Sequence, residues 1–256
     1  MSITAAMVKD LRERTGVGMM DCKKALSECG GDEEKAIAWL REKGLSKAAK
    51  KAGRATAEGL ISIYVAPDGK SAAMSELNCE TDFVAKNEEF IALAEGLAKK
   101  AVELKVSSVD ALPAEVTDLT GLIGKIGENM QVGQLAYVEL QGQGIIGTYV
   151  HSNKKLGVLV ELTGEATAEM AKDIAMQVAA ANPICVTSEQ IPADTLAKEK
   201  EIYLNQAKEE GKPAQIAEKI VEGRIRKYYQ EVCLREQVFI KDDKKPLRIC
   251  WAKMPT

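Results

Sequence analysis

Apolar positions follow two different periods along the chain, and the change falls near residue 59. Over residues 1–44 the spacing predicts three short helices. Thr4 is placed to cap "AAMVKDLRER", which the glycines of "TGVG" end, and "MDCKKALSE" follows from Met19 and stops at Gly30-Gly31. Asp32 is placed to cap "EEKAIAWLREK", with acids in its first turn and Gly44 behind it. The next stretch, "LSKAAKKAGRATAEG", carries Lys47, Lys50, Lys51 and Arg54 before any acid and is expected to be a solvated helical connector. Alternation then begins. "LISIYVAPDGKSAAMSEL" predicts a hairpin around Pro67-Asp68-Gly69. "EEFIALAEGLAKKAVEL" places Phe90, Ile91, Ala94, Leu97, Ala98 and Ala101 on one helical face.

A weaker helix, "AEVTDLTGLIGKIGEN", is diluted by glycines, and a second strand group comes after it: "QLAYVEL", "GIIGTYVHS" and "LGVLVEL". The helix "EATAEMAKDIAMQVAAA" then runs to Asn182-Pro183. A strand-plus-helix unit thus occurs twice, which predicts two similar α+β subdomains. Residues 194–232 differ again, with two charged helices either side of Gly211-Lys212-Pro213 and a narrow stripe at Ile216, Ile220, Val221 and Ile225. Neither helix has enough apolar surface to be buried all round. A projecting antiparallel helical hairpin is expected, with a coiled-coil-like seam, and such an arm can dock on a partner or on a second copy. The organisation expected is a three-helix module with its basic connector over 1–54, a core subdomain over 55–142, and a second over 143–256 that carries the arm at 194–232.

Composition narrows the setting. At 256 residues, with 46% hydrophobic and 29% charged positions, the chain has enough apolar content for folded units and is not globally disordered. A net charge of −3 argues against a whole-protein nucleic-acid binder, leaving only the basic segment 41–54 as an RNA-contacting alternative. There is no apolar run of about 18 residues, and "MSITAAMVKD" lacks the basic-then-apolar form of a signal peptide, so a cytoplasmic, membrane-free protein is expected. The six cysteines (Cys22, Cys29, Cys79, Cys185, Cys233 and Cys250) contain no CxxC pair and read as free thiols.

Catalytic chemistry is sparse. The single histidine, His151, excludes a multi-histidine metal site. "GQGIIG" (Gly142, Gly144, Gly147) matches GxGxxG in letters, but strand patterns follow it where a dinucleotide site needs a helix N-terminus, so a hairpin bend is expected. "DGKS" (Asp68–Ser71) resembles the end of a phosphate loop, but Tyr64 occupies the earlier glycine position. No cofactor, metal or direct nucleotide site is expected, and a binding function leads.

One residue fits none of these patterns. In "ELNCETDFVAKNEEF", Phe83 lies between a strand and the helix that Asn87 caps, and belongs to neither. Within it "ELNCETDFVAK" (76–86), with "LRERTGVGMMDCKKAL" (11–26), resembles the two signature segments of bacterial elongation factor Ts; "KIGEN" (125–129) and "GKPAQIAEKIVEGRIRKYYQEV" (211–232) are similar to further segments of that family. The resemblance covers about residues 1–240. It implies a ubiquitin-associated-like N-terminal module and a non-catalytic guanine-nucleotide exchange factor that contacts the GTPase and C-terminal domains of elongation factor Tu. It also implies that Thr81, Asp82, Phe83 and Val84 form a protruding turn whose Phe wedges into the GTPase domain and displaces Mg²⁺. Arg12, Met19 and Met20 match positions touching the same domain, and His151 matches a histidine of the second subdomain. At the C-terminus the chain departs from the family. After "QVFIKDD" it ends "KKPLRICWAKMPT", without a normal-length alternating strand or an amphipathic tail, so an exposed sheet edge partly covered by Trp251 and a weakened second subdomain are expected.

Overall fold

The computed structural model describes residues 2–247. They form two compact units: one runs to Glu139 and includes Ser152–Gly157, and the other comprises Leu140–His151 and the chain from Val158 onward. Both combine helices with small antiparallel sheets, so the architecture is α+β.

The first unit opens with α1 (Ala5–Thr15), α2 (Met19–Glu28) and α3 (Glu33–Lys51). The Thr4 side chain accepts the Met7 N–H at 3.3 Å, and Asp32 accepts the Lys35 N–H at 3.0 Å, as the cap residues predicted. Gly16, at φ 65°, ends α1 in the left-handed conformation that glycine adopts without a Cβ penalty. Leu11, Cys22, Ala25, Leu26 and Ala36 are fully enclosed and form the core of this bundle.

Two expectations need correction here. Gly44 does not end the third helix, which continues through the basic segment to Lys51. A glycine inside a helix costs about 1 kcal/mol relative to alanine. What offsets it is a close approach: α4 (Asp82–Ala85) and α5 (Glu88–Leu104) are followed by α6 (Ala114–Thr117) and α7 (Thr120–Ile126), and α7 crosses α3 at two glycines. A methyl group added at Gly124 would stand 3.0 Å from the Gly44 Cα. Of the glycines read as diluting a helix, Gly124 is therefore the one that lets the two helices meet, whereas a methyl at Gly44 would only touch the Thr120 carbonyl oxygen at 4.0 Å. The second correction concerns "QLAYVEL". It forms part of β3 (Met130–Glu139), and β3 joins β1 (Glu58–Val65) and β2 (Ser71–Cys79) in one antiparallel sheet of order β1-β2-β3. Its partner is β2, with Ala72 opposite Val138 and Leu77 opposite Val132, so it completes the first sheet rather than starting the second. The helix α5 lays Phe90, Ala94, Leu97 and Ala101 into the core shared with this sheet, and the buried Ser75 hydroxyl donates to the Ala94 carbonyl at 2.8 Å.

The second unit is built on the hairpin of β4 (Gly144–Val150) and β5 (Gly157–Thr163). No helix opens after Gly142 and Gly144; the GxGxxG letters run straight into β4. Gly147 lies against α8 (Ala168–Ala181), where an added methyl would stand 2.4 Å from the Ala171 carbonyl oxygen. The charged segment forms α9 (Ala193–Glu209) and α10 (Ala214–Val232), a helical hairpin closed by Arg224, which donates to Gln206 at 2.5 Å and to Glu210 at 2.8 Å. Its buried seam uses Ala207, Ala217 and Ile225, whereas Ile216, expected in the stripe, is exposed.

After α10 come β6 (Val238–Phe239) and β7 (Asp242–Pro246), paired with each other. A short strand thus exists where none of normal length was expected, and Leu247 beyond it is enclosed with Ile174 and Leu234. The rest of the unusual ending, including Trp251, lies outside the described residues. Two buried glutamines tie this region to α8. The Gln177 amide donates to the Gln237 side chain at 3.3 Å and the Val238 carbonyl at 3.2 Å, and it accepts the Ile240 N–H at 2.9 Å. Gln237 in turn donates to the carbonyls of Ala181 and Glu231 at 3.1 and 2.8 Å.

Candidate partner-binding site

Among the described residues, the most exposed large apolar side chain is held on a turn anchored by several hydrogen bonds. Phe83 sits in the single turn of α4, between the last residue of β2 and the Asn87 cap of α5, and is 80% exposed. Its neighbour Val84 points the other way and is buried in the core with Phe90 and Leu97. A phenylalanine moved from water into an apolar site gains about 1.5–3 kcal/mol, a gain this fold leaves unused.

Polar contacts fix the turn from behind. The Glu128 carboxylate accepts the Thr81 backbone N–H at 2.9 Å and the Thr81 hydroxyl at 2.6 Å. Next to it, the Glu80 carboxylate accepts the Asn129 N–H at 2.6 Å and pairs with Arg54 at 3.4 Å. These contacts hold the Glu80 carboxyl below the ordinary carboxylate range, the Asn129 hydrogen bond contributing most. The buried Asn129 amide donates to the Arg54 carbonyl at 2.8 Å. On the inner side the Cys79 thiol donates to the Thr81 carbonyl at 3.1 Å, and burial pushes that thiol up to about 11. Asp82 faces outward and pairs with Lys86, one helical turn on, at 2.6 Å; this contact lowers the Asp82 pKa. The turn is a rigid mount with an aromatic at its tip.

The other expected residues are placed as follows. Met19 and Met20, at the start of α2, are 50% and 77% exposed, so neither is packed in the bundle core. Arg12 is exposed on α1. His151 follows β4 and is exposed, with its Nδ1 2.9 Å from the Tyr149 hydroxyl. In the basic segment Lys47 pairs with Asp21 at 2.9 Å, Lys51 donates to the Gly127 carbonyl and Arg54 holds Glu80, leaving Lys50 exposed. Much of that positive charge serves contacts inside the unit.

The residues that sequence reasoning missed are Glu128 and Asn129, together with Glu80 and Arg54. "KIGEN" was legible as a segment of unassigned role; its signal was an acid and an amide directly before a strand, after a glycine with φ 93°. Among the described residues no group of three or more His, Cys, Asp or Glu side chains is arranged to hold a metal ion, and no helix is long and apolar enough to cross a membrane.

An exposed aromatic on a preorganised turn is the kind of feature around which protein interfaces concentrate their binding energy. Comparison with known proteins places it in a family. The family model described as Elongation factor TS matches residues 80–252, from the clamped Glu80 onward. The Elongation factor Ts of Nitratidesulfovibrio vulgaris strain DP4 is 51% identical over 253 residues, covering 95% of this chain and 86% of that protein. The Elongation factor Ts of Clostridium botulinum strain Alaska E43 is 51% identical over 257 residues, covering 96% of this chain and 84% of the relative. The chain belongs to the elongation factor Ts family, and with it to the translation elongation factors.

Proposed function

We propose that this protein is a non-catalytic guanine-nucleotide exchange factor that binds elongation factor Tu carrying GDP in the cytoplasm and promotes GDP release. The observation that carries this reading is the exposed Phe83 on a turn clamped by Glu128. A GTPase retains GDP through phosphate-binding backbone groups and a Mg²⁺ that neutralises phosphate charge. The Thr81–Val84 turn presents Phe83 to the GTPase domain as the wedge, with Asp82 beside it and Val84 anchoring the turn in this chain's own core, and the displaced structure no longer holds the Mg²⁺. Arg12, Met19 and Met20 add contacts to the same domain, the soft methionines adapting to its surface; His151 meets the C-terminal part of the partner.

The energetics are consistent with such a step. A buried aromatic anchor contributes typically ~2 kcal/mol or more at an interface, and a rigid mount avoids part of the ordering cost of association. Reciprocity completes the cycle: a factor that prefers the empty GTPase must weaken nucleotide binding by the same ratio. The test is release of fluorescent GDP from elongation factor Tu with and without this chain. Acceleration supports the proposal, and release at the spontaneous rate under saturating chain removes it.

A further inference from the structure

At the base of the helical arm, two cysteines face each other. Cys185 follows α8 at an isolated β-bridge, and Cys233 is the residue that caps the end of α10. Their backbones form a parallel bridge, with the Leu234 N–H donating to the Cys185 carbonyl at 2.9 Å and the Ile184 N–H to the Val232 carbonyl at 2.8 Å. The two sulfurs are 3.6 Å apart. Bridged neighbours have Cα atoms about 5 Å apart, inside the range of roughly 4.4–6.8 Å that a disulfide spans. Among the described residues these are the two cysteine sulfurs in mutual contact; Cys22 meets the Thr15 hydroxyl and the Val17 carbonyl, and Cys79 meets the Thr81 carbonyl.

We propose that Cys185 and Cys233 form a reversible thiol–disulfide site that reacts with low-molecular-weight disulfides. The two thiols differ in access. Cys185 lines a groove of about 840 Å³ together with Leu162, Ile184, Gln190 and Arg235, whereas Cys233 is fully enclosed. Burial, then its contact with the Cys185 sulfur, keeps Cys233 a protonated thiol, pushed up to about 12. Because it faces the groove while Cys233 is enclosed, Cys185 is the attacking group. Its thiolate displaces one glutathione thiolate from oxidised glutathione, forming a mixed disulfide. Cys233 then gives up its proton and attacks the Cys185 sulfur, expelling the second glutathione. Two protein thiols become one disulfide, one glutathione disulfide becomes two glutathione thiols, and the two thiol protons end on glutathione. The bond closes a loop between positions 48 residues apart that contains all of α9 and α10, and so ties the two roots of the arm covalently. In a reducing compartment such a bond is transient, the mode in which disulfides act as sensors.

The test is to expose the native full-length chain to oxidised glutathione, quench by alkylation and map the peptides by mass spectrometry. A Cys185–Cys233 link is expected, forming at least about tenfold faster than in the urea-unfolded chain because the fold holds the sulfurs together, and reversed by dithiothreitol. Cys233→Ser is expected to stop at the Cys185–glutathione mixed disulfide. A link from either cysteine to Cys250, a disulfide-joined dimer, a persistent mixed disulfide in the parent chain, or equal rates in native and unfolded protein would each overturn the proposal.

Discussion

Glu128 grips Thr81 at two atoms, accepting its backbone N–H at 2.9 Å and its hydroxyl at 2.6 Å. The pair joins the end of "KIGEN" to the start of the exposed turn, across 47 residues of sequence. Removing the carboxylate leaves a partly buried N–H without its acceptor, a loss of about 1–3 kcal/mol. Glu128→Ala is expected to lower stability by that modest amount and to slow stimulated GDP release by roughly tenfold, equivalent to ~1.4 kcal/mol. Urea unfolding and stopped-flow release, measured on the same preparation, check it. Unchanged exchange in a folded variant would show that the turn needs no clamp.

Two glycines of α7 make opposite predictions. An added methyl at Gly124 would press on the Gly44 Cα at 3.0 Å, whereas one at Gly121 meets nothing within 4 Å. Gly124→Val should destabilise by about 1–3 kcal/mol through overpacking. Gly121→Ala should be neutral or stabilising by up to about 1 kcal/mol, from helix propensity alone. Thermal unfolding followed by circular dichroism separates the two.

These glycines also show where sequence pattern stops being informative. Caps at Thr4, Asp32 and Asn87 were legible because a side chain reaches backbone only a few residues away. So was the face of α5, and so was the isolation of Phe83, which fits neither period. The continuation of α3 through Gly44 was hidden, because its cause is a helix 80 residues later in the chain. The pairing of β3 with β2 was hidden in the same way: alternation marks a strand but not its neighbour. Of the candidate site, the tip was readable and the clamp was not, since Glu128, Glu80 and Asn129 look like any polar loop until the fold brings them together.

Alkaline pH should weaken the fold through two buried thiols. Burial raises Cys79 to about 11 and Cys233 to about 12 from an ordinary 9.0. Above pH 9 the unfolded chain releases these protons while the folded chain still holds them, so the unfolded state gains. The contribution is complete below pH 9 and is lost progressively as pH rises toward 11 and 12. Unfolding midpoints should fall across that window, and Cys79→Ala should flatten the fall.

Gln177 should matter more than its polarity suggests. Gln177→Leu leaves the buried Gln237 side-chain oxygen without its partner, at a cost of about 1–3 kcal/mol, and returns the N–H of the exposed Ile240 to water. Hydrogen exchange should quicken in α8 and in residues 237–247, with β1–β3 unaffected. In the parent chain, protection is expected to be lower over residues 143–247 than over 2–142, because the second unit rests on a two-stranded hairpin where the first has three strands. Uniform protection across both would contradict that expectation.

The most direct test of the account is stopped-flow release of fluorescent GDP from elongation factor Tu, driven by the parent chain and by Phe83→Ala. Phe83 is 80% exposed, so its truncation should change folding stability by no more than about 0.5 kcal/mol. Exchange is expected to slow by roughly tenfold or more at this unchanged stability. Release at the parental rate from a folded Phe83→Ala chain would contradict it.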